Sequence, residues 1–240
     1  MRERAIRSRW AWRIKALACA GALVTVVALT DRETTPESAA EIPPYVGALF
    51  SNDLDGGHFC TASVVHSEGR NLIATAAHCL GDAEGKVFAP AYAYGEAPYG
   101  TWTIEKIYED SSWLDGEDED ADLAFATLAP RDGEEIEDVT GANVLDAGGR
   151  TAGKVTVTGY PSDLDHPLTC TVEPTEETAT RQRVDCPDFA TGTSGSPWVT
   201  GDGRLVGVLG GYEGGGESDD VSYSIVLGEL AARLYEQATG

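Results

Sequence analysis

Beyond residue 30 the chain is a succession of short apolar runs separated by turn residues, and that rhythm limits what it can fold into. Tyr45–Phe50, Phe59–Val65, Leu72–Ala76, Lys86–Tyr94, Thr101–Tyr108, Leu123–Leu128, Lys154–Gly159, Pro197–Val199 and Leu205–Gly210 all have the length and composition of strands, with Gly, Asp, Pro or Asn between them. Many short strands in one chain predict an all-β sandwich or barrel. One helix is expected, over Ser224–Gln237, where Ile225, Leu227, Leu230, Ala231 and Leu234 lie near helical spacing. The 240 residues suffice for one large domain or two small ones, and the sequence carries no internal repeat.

The first thirty residues are of another kind. Six basic residues and one acid precede or flank Ala16–Thr30, an apolar run of 15 residues. That is short for a membrane span and suits the core of a signal peptide; an uncleaved signal anchor is the alternative. Residues 31–41 are polar and proline-bearing, and read as a linker or short propeptide, so the folded domain is expected over 42–240. Secretion to the extracellular space follows from this reading. From residue 31 onward, 11 basic and 39 acidic residues give a net charge of −28. Such a surface repels nucleic acid and anionic membranes, and it favours solubility and a monomer. Membrane contact is expected only if the N-terminal segment stays attached.

Export makes the cysteines readable. Without Cys19 in the leader, Cys60, Cys79, Cys170 and Cys186 remain, an even number in an oxidising compartment. Of three possible pairings, proximity favours Cys60–Cys79 and Cys170–Cys186. Zinc is the rival, but no CxxC or HxxxH spacing supports it. The acidic run Asp115–Asp120 is a surface loop rich in the hard oxygens that calcium prefers, yet it matches no EF-hand spacing. No metal and no cofactor is expected.

Three segments carry chemistry. Thr75-Ala76-Ala77-His78-Cys79 ends an apolar run on a histidine, Asp122-Leu123-Ala124 opens an apolar strand on a carboxylate, and Gly192-Thr193-Ser194-Gly195-Ser196-Pro197 sets a serine in a glycine-flanked turn. Each has a bland reading: a packed histidine, a solvated strand end, an ordinary hairpin. Together they supply what a serine nucleophile needs, namely a base, a carboxylate to fix the tautomer of that base, and backbone donors for an oxyanion. The amides of Gly192 and Ser194 are the natural donors.

These segments resemble the histidine, aspartate and serine motifs of the trypsin-like (chymotrypsin-fold) serine proteases, and the resemblance runs from about Tyr45 to the C-terminal helix. The Gly-x-Ser-Gly-Ser-Pro form is similar to that of bacterial glutamyl-endopeptidase-like members. The resemblance implies two six-stranded antiparallel β-barrels with a C-terminal helix. It implies His78 as general base, Asp122 as its orienting partner and Ser194 as nucleophile of a secreted endopeptidase acting on polypeptides. Cys60 corresponds to the family cysteine that bridges to the one after the histidine. Thr193 stands where many animal members carry an aspartate that pairs with a freshly cut N-terminus, so activation by that route is not expected. By the same resemblance Asp188 sits where a carboxylate binds Lys or Arg side chains, Gly210 and Gly211 line the pocket wall, and Ser222 to Ser224 its rear. Basic or unspecified preference is favoured over acidic. The other functional class is a catalytically idle homologue that binds peptides or proteins.

Overall fold

A computed structural model describes residues 42–212, 216 and 218–240. The expected leader and linker, residues 1–41, lie outside the described residues.

Six strands form the first half: β1 (Val46–Phe50), β2 (His58–Val65), β3 (Leu72–Thr75), β4 (Val87–Pro90), β5 (Trp102–Glu109) and β6 (Ala124–Leu128). They close into an antiparallel barrel in the order β1-β2-β3-β6-β5-β4. Successive side chains of a strand point to opposite faces, and here both faces are covered. Ile73 of β3 and Ala124, Ala126 and Leu128 of β6 fill the barrel interior with Leu49, Val64, Phe88 and Trp102. Their neighbours Leu72, Ala74, Leu123 and Phe125 point outward, against Leu205, Val208 and Leu227 from the C-terminal half. Double coverage is why β3 and β6 read as unbroken apolar runs rather than alternating ones.

The second half holds β7 (Val144–Leu145), β8 (Val155–Gly159), β9 (Leu168–Val172), β10 (Thr175–Glu176), β11 (Arg181–Asp185), β12 (Pro197–Thr200), β13 (Arg204–Val208) and β14 (Val221–Ile225). Where the sequence suggested a second six-stranded barrel, these strands make a five-stranded sheet, β7-β13-β12-β8-β9, and a three-stranded sheet, β10-β11-β14. The bridge Leu209–Ser224 joins the two, and Val157, Val184, Trp198 and Val206 pack between them.

Among the described residues, three short α-helices complete the fold: α1 (Ser111–Gly116), α2 (Ile136–Thr140) and α3 (Glu229–Thr239). The expected helix over Ser224–Gln237 is corrected at its start. Val221–Ile225 is β14, paired with β11 from Arg181–Ile225 to Asp185–Val221, and α3 begins only after Gly228. Leu227, Leu230, Ala231 and Leu234 keep helical spacing, but Ile225, two residues before Leu227, falls off that face; the Val-Ser-Tyr-Ser-Ile run is β-rich in composition and its backbone is used by β11. The expected strand over Lys86–Tyr94 is likewise shorter and ends at Pro90, because Ala91 takes a left-handed φ of 50°.

Both favoured disulfides are present. Cys60–Cys79 spans 19 residues with a Cα–Cα distance of 6.1 Å. Cys170–Cys186 spans 16 residues at 5.8 Å and ties β9 to the end of β11, stapling the two C-terminal sheets. Loops of this length give about 3 kcal/mol each in the chain-entropy description.

Candidate active site

Strand register brings the histidine and the aspartate together. Thr75, the last residue of β3, pairs with Ala124, the first of β6. The chain leaving β3 and the chain entering β6 are therefore neighbours. A single 3₁₀ turn over Ala77–Cys79 follows β3, and another over Glu119–Ala121 precedes Asp122. His78 and Asp122, 44 residues apart in sequence, meet where these turns face each other.

Asp122 is buried, with its side chain 1% exposed, whereas that of His78 is 31% exposed. Its Oδ2 lies 2.8 Å from His78 Nδ1, and its Oδ1 accepts the His78 backbone amide at 3.0 Å. Oδ2 also accepts the Gly211 amide at 2.5 Å. Burial alone would push this carboxyl's pKa up. The hydrogen bond and charge of His78, with the two amides, outweigh burial and hold the group below the ordinary aspartate range. An ionised carboxylate only accepts hydrogen bonds, so Nδ1 carries the proton and Nε2 keeps its lone pair. Behind Asp122, Glu109 is shifted the other way: burial and then the charge of Asp122 raise it, against a weaker pull from Lys86.

The serine turn is built by two glycines and one threonine. Gly192 has φ +99° and Gly195 φ +86°, a region that side chains disfavour. A Cβ on Gly195 would fall 1.9 Å from the carbonyl oxygen of Thr61. Thr61 belongs to β2 of the barrel, and it fastens the turn: its amide donates to Ser194 O at 2.7 Å and its hydroxyl to Gly192 O at 3.2 Å. The same hydroxyl accepts from Tyr160 N at 2.9 Å. Thr193 is buried and donates its hydroxyl to Ala190 O at 2.8 Å, so the turn's own backbone satisfies it. Among the described residues, neither the Gly192 amide nor the Ser194 amide donates to a protein acceptor.

His78, Asp122 and Ser194 line one open cleft, together with Trp113, Glu119 and Gly211. Glu117, also on its wall, has no ion-pair partner among the described residues. Of the pocket residues expected from sequence, Gly211 lines this cleft. Gly211 is used against Asp122, and Gly210 stands behind it, where a Cβ would come 3.2 Å from Asp122 Oδ2. Asp188 is exposed, in a left-handed turn with φ 63°, its amide donating to Asp220 Oδ1 at 3.3 Å. Ser222 and Ser224 are both buried in β14. Three carboxylates of the acidic run at 115–120 have partners. Asp118 accepts the Asp120 amide, while Glu119 and Asp120 pair with Arg181 at 3.5 and 2.9 Å. Sequence reasoning missed Thr61 and Arg181, and no local pattern marks either.

Comparison with known proteins places the chain. The sequence matches the trypsin-like peptidase domain family over residues 60–208. No curated protein matches it. Among solved structures, it is similar to the protease Anisep from Arthrobacter nicotinovorans, with 25% identity, a TM-score of 0.71, and coverage of 83% of this chain and 97% of that one. It is similar also to the thermostable serine protease AL20 from an extremophilic microorganism, with 27% identity, a TM-score of 0.71, and coverage of 82% and 97%. A Glu endopeptidase shares the fold, with 16% identity, a TM-score of 0.66, and coverage of 82% and 91%. The chain belongs to the family of trypsin-like peptidase domains and is a serine-type endopeptidase with an all-β, chymotrypsin-like fold.

Proposed function

We propose that this protein is a secreted endopeptidase in which Ser194, His78 and Asp122 form the catalytic triad. The observation that carries the reading is the buried Asp122 carboxylate held against His78 Nδ1 at 2.8 Å, in a cleft that Ser194 also lines. His78 Nε2 takes the Ser194 hydroxyl proton as Oγ attacks the scissile carbonyl carbon. Asp122 stabilises the imidazolium so formed. The oxyanion is received by the Gly192 and Ser194 amides, which have no protein acceptor of their own among the described residues. Collapse of the tetrahedral adduct breaks the C–N bond, and Nε2 returns the proton to the departing amine. Water then repeats the sequence on the acyl-enzyme.

In the same reading the two C-terminal sheets are the walls of a second barrel, residues 1–30 direct export, and 31–41 link leader to domain. Glu117 on the wall, with no ion-pair partner among the described residues, gives the cleft a negative rim, which favours basic residues near the scissile bond. The test is digestion of an unfolded polypeptide: the wild type yields fragments and Ser194→Ala yields none. Ester turnover without any peptide cleavage would instead make the protein an esterase.

A further inference from the structure

Arg181, the first residue of β11, lies where the two segments that hold Asp122 come together. Its Nε is 2.9 Å from Asp120 Oδ1, an ion pair without hydrogen-bond geometry, and its Nη2 donates to Glu119 Oε2 at 3.5 Å. The guanidinium carbon stands 3.8 Å over the centroid of the Tyr212 ring. Adjacent Thr180 donates its hydroxyl to the Asp120 carboxylate, 3.2 Å from both oxygens. Glu119 and Asp120 belong to the turn that runs directly into Asp122, and Tyr212 follows Gly211, whose amide donates to Asp122 Oδ2. One planar cation therefore clamps the segment that carries the carboxylate to the segment that hydrogen-bonds it.

Ion pairs near the surface contribute little to stability singly, whereas a planar fork that pairs with carboxylates while stacking on an aromatic ring fixes geometry. We propose that Arg181 is a positioning residue for the Asp122–His78 pair, acting through Glu119, Asp120 and Tyr212; this rests on the catalytic reading given above. It also balances charge. The groups around the imidazole are Asp122, Glu117 and Glu119 in the cleft, Asp120 and Arg181 behind, and Glu109 beyond Asp122. Loss of the cation leaves the carboxylates uncompensated and raises the proton affinity of His78.

The test compares Arg181→Ala and Arg181→Lys with the wild type on a small neutral ester, with active sites counted by a fluorophosphonate titrant. Arg181→Ala is expected to lose about 10- to 100-fold in kcat, with KM nearly unchanged, and its acid limb should move to higher pH. Arg181→Lys should keep the limb in place yet fail to recover kcat, because an ammonium cannot stack flat on Tyr212 while meeting both carboxylates. Adding Glu119→Gln to Arg181→Ala should bring the limb back toward the wild-type pH without restoring kcat. Wild-type kcat and limb per titrated site in Arg181→Ala would overturn the proposal, as would full recovery of kcat by lysine. An active Ser194→Ala would sink the catalytic reading itself; an inactive Ser194→Ala beside a normal Arg181→Ala would sink only this inference.

Discussion

Asp122 holds His78 at two points, its Oδ1 accepting the backbone amide at 3.0 Å and its Oδ2 facing Nδ1 at 2.8 Å. The first bond fixes where the residue sits and the second fixes how its ring is turned. Asn at 122 would present an NH₂ or a neutral carbonyl to Nδ1, so the tautomer with a free Nε2 lone pair would no longer be favoured. Asp122→Asn should therefore keep the fold and lose turnover by about 10⁴-fold, by analogy with the serine-protease triad. Steady-state kinetics on a peptide substrate, with circular dichroism to confirm folding, checks it.

Acidification should abolish activity before it unfolds this pair. The Asp122 carboxyl is held below its ordinary value of 3.8, so its contribution to stability is full above that pH and is lost only as pH falls through the lower folded value. A protonated imidazole cannot accept the serine proton. The expected result is kcat/KM falling with a single proton through the histidine range while the fluorescence of the folded state stays flat. A rate unchanged through that range would remove His78 as base.

Glu109 carries the opposite sign. Its carboxyl is raised from 4.5 by burial and by Asp122, so folding favours its protonated form, and the stability it allows declines as pH rises from 4.5 through the folded value. Glu109→Gln should melt higher than the wild type at neutral pH and match it below pH 4.5. Thermal melts across that range measure the gap. A constant gap at every pH would show that packing, not charge, is responsible.

The two disulfides should separate stability from catalysis. Removing either costs about 3 kcal/mol in the loop-entropy description. Cys60–Cys79, however, anchors the turn that carries His78, whereas Cys170–Cys186 lies between two C-terminal sheets. Cys60→Ala/Cys79→Ala should lose both denaturation midpoint and kcat. Cys170→Ala/Cys186→Ala should lose midpoint alone, as urea titration and kinetics on the folded fraction would reveal.

What the sequence revealed, and what it hid, follows from where each signal resides. Strands β3 and β6 were legible because both of their faces are buried, which forces continuous apolar runs. β9 and β11 were missed although both alternate in exposure as half-buried strands do; their polar residues break the continuous apolar runs that marked the other strands. The end of β14 was read as the start of a helix because Ser224 and Ile225 lead into the Leu227, Leu230, Ala231 and Leu234 stripe without a break. His78, Asp122 and Ser194 stood out because their chemistry demands particular residue types in particular local settings. Thr61 and Arg181 act through backbone bonds and stacking between distant segments, which leave no local trace. Asp188 was placed by counting back from Ser194, and a count carries no information about the left-handed φ of 63° that the residue adopts after Cys186.

The most direct measurement is covalent labelling of the native protein by a fluorophosphonate, followed by peptide mapping of the adduct. A single adduct on Ser194, lost in Ser194→Ala and formed far more slowly in His78→Ala, is the predicted result. Folded wild-type protein that takes up no label, or takes it up at another residue, would contradict the assignment of Ser194 as an activated nucleophile.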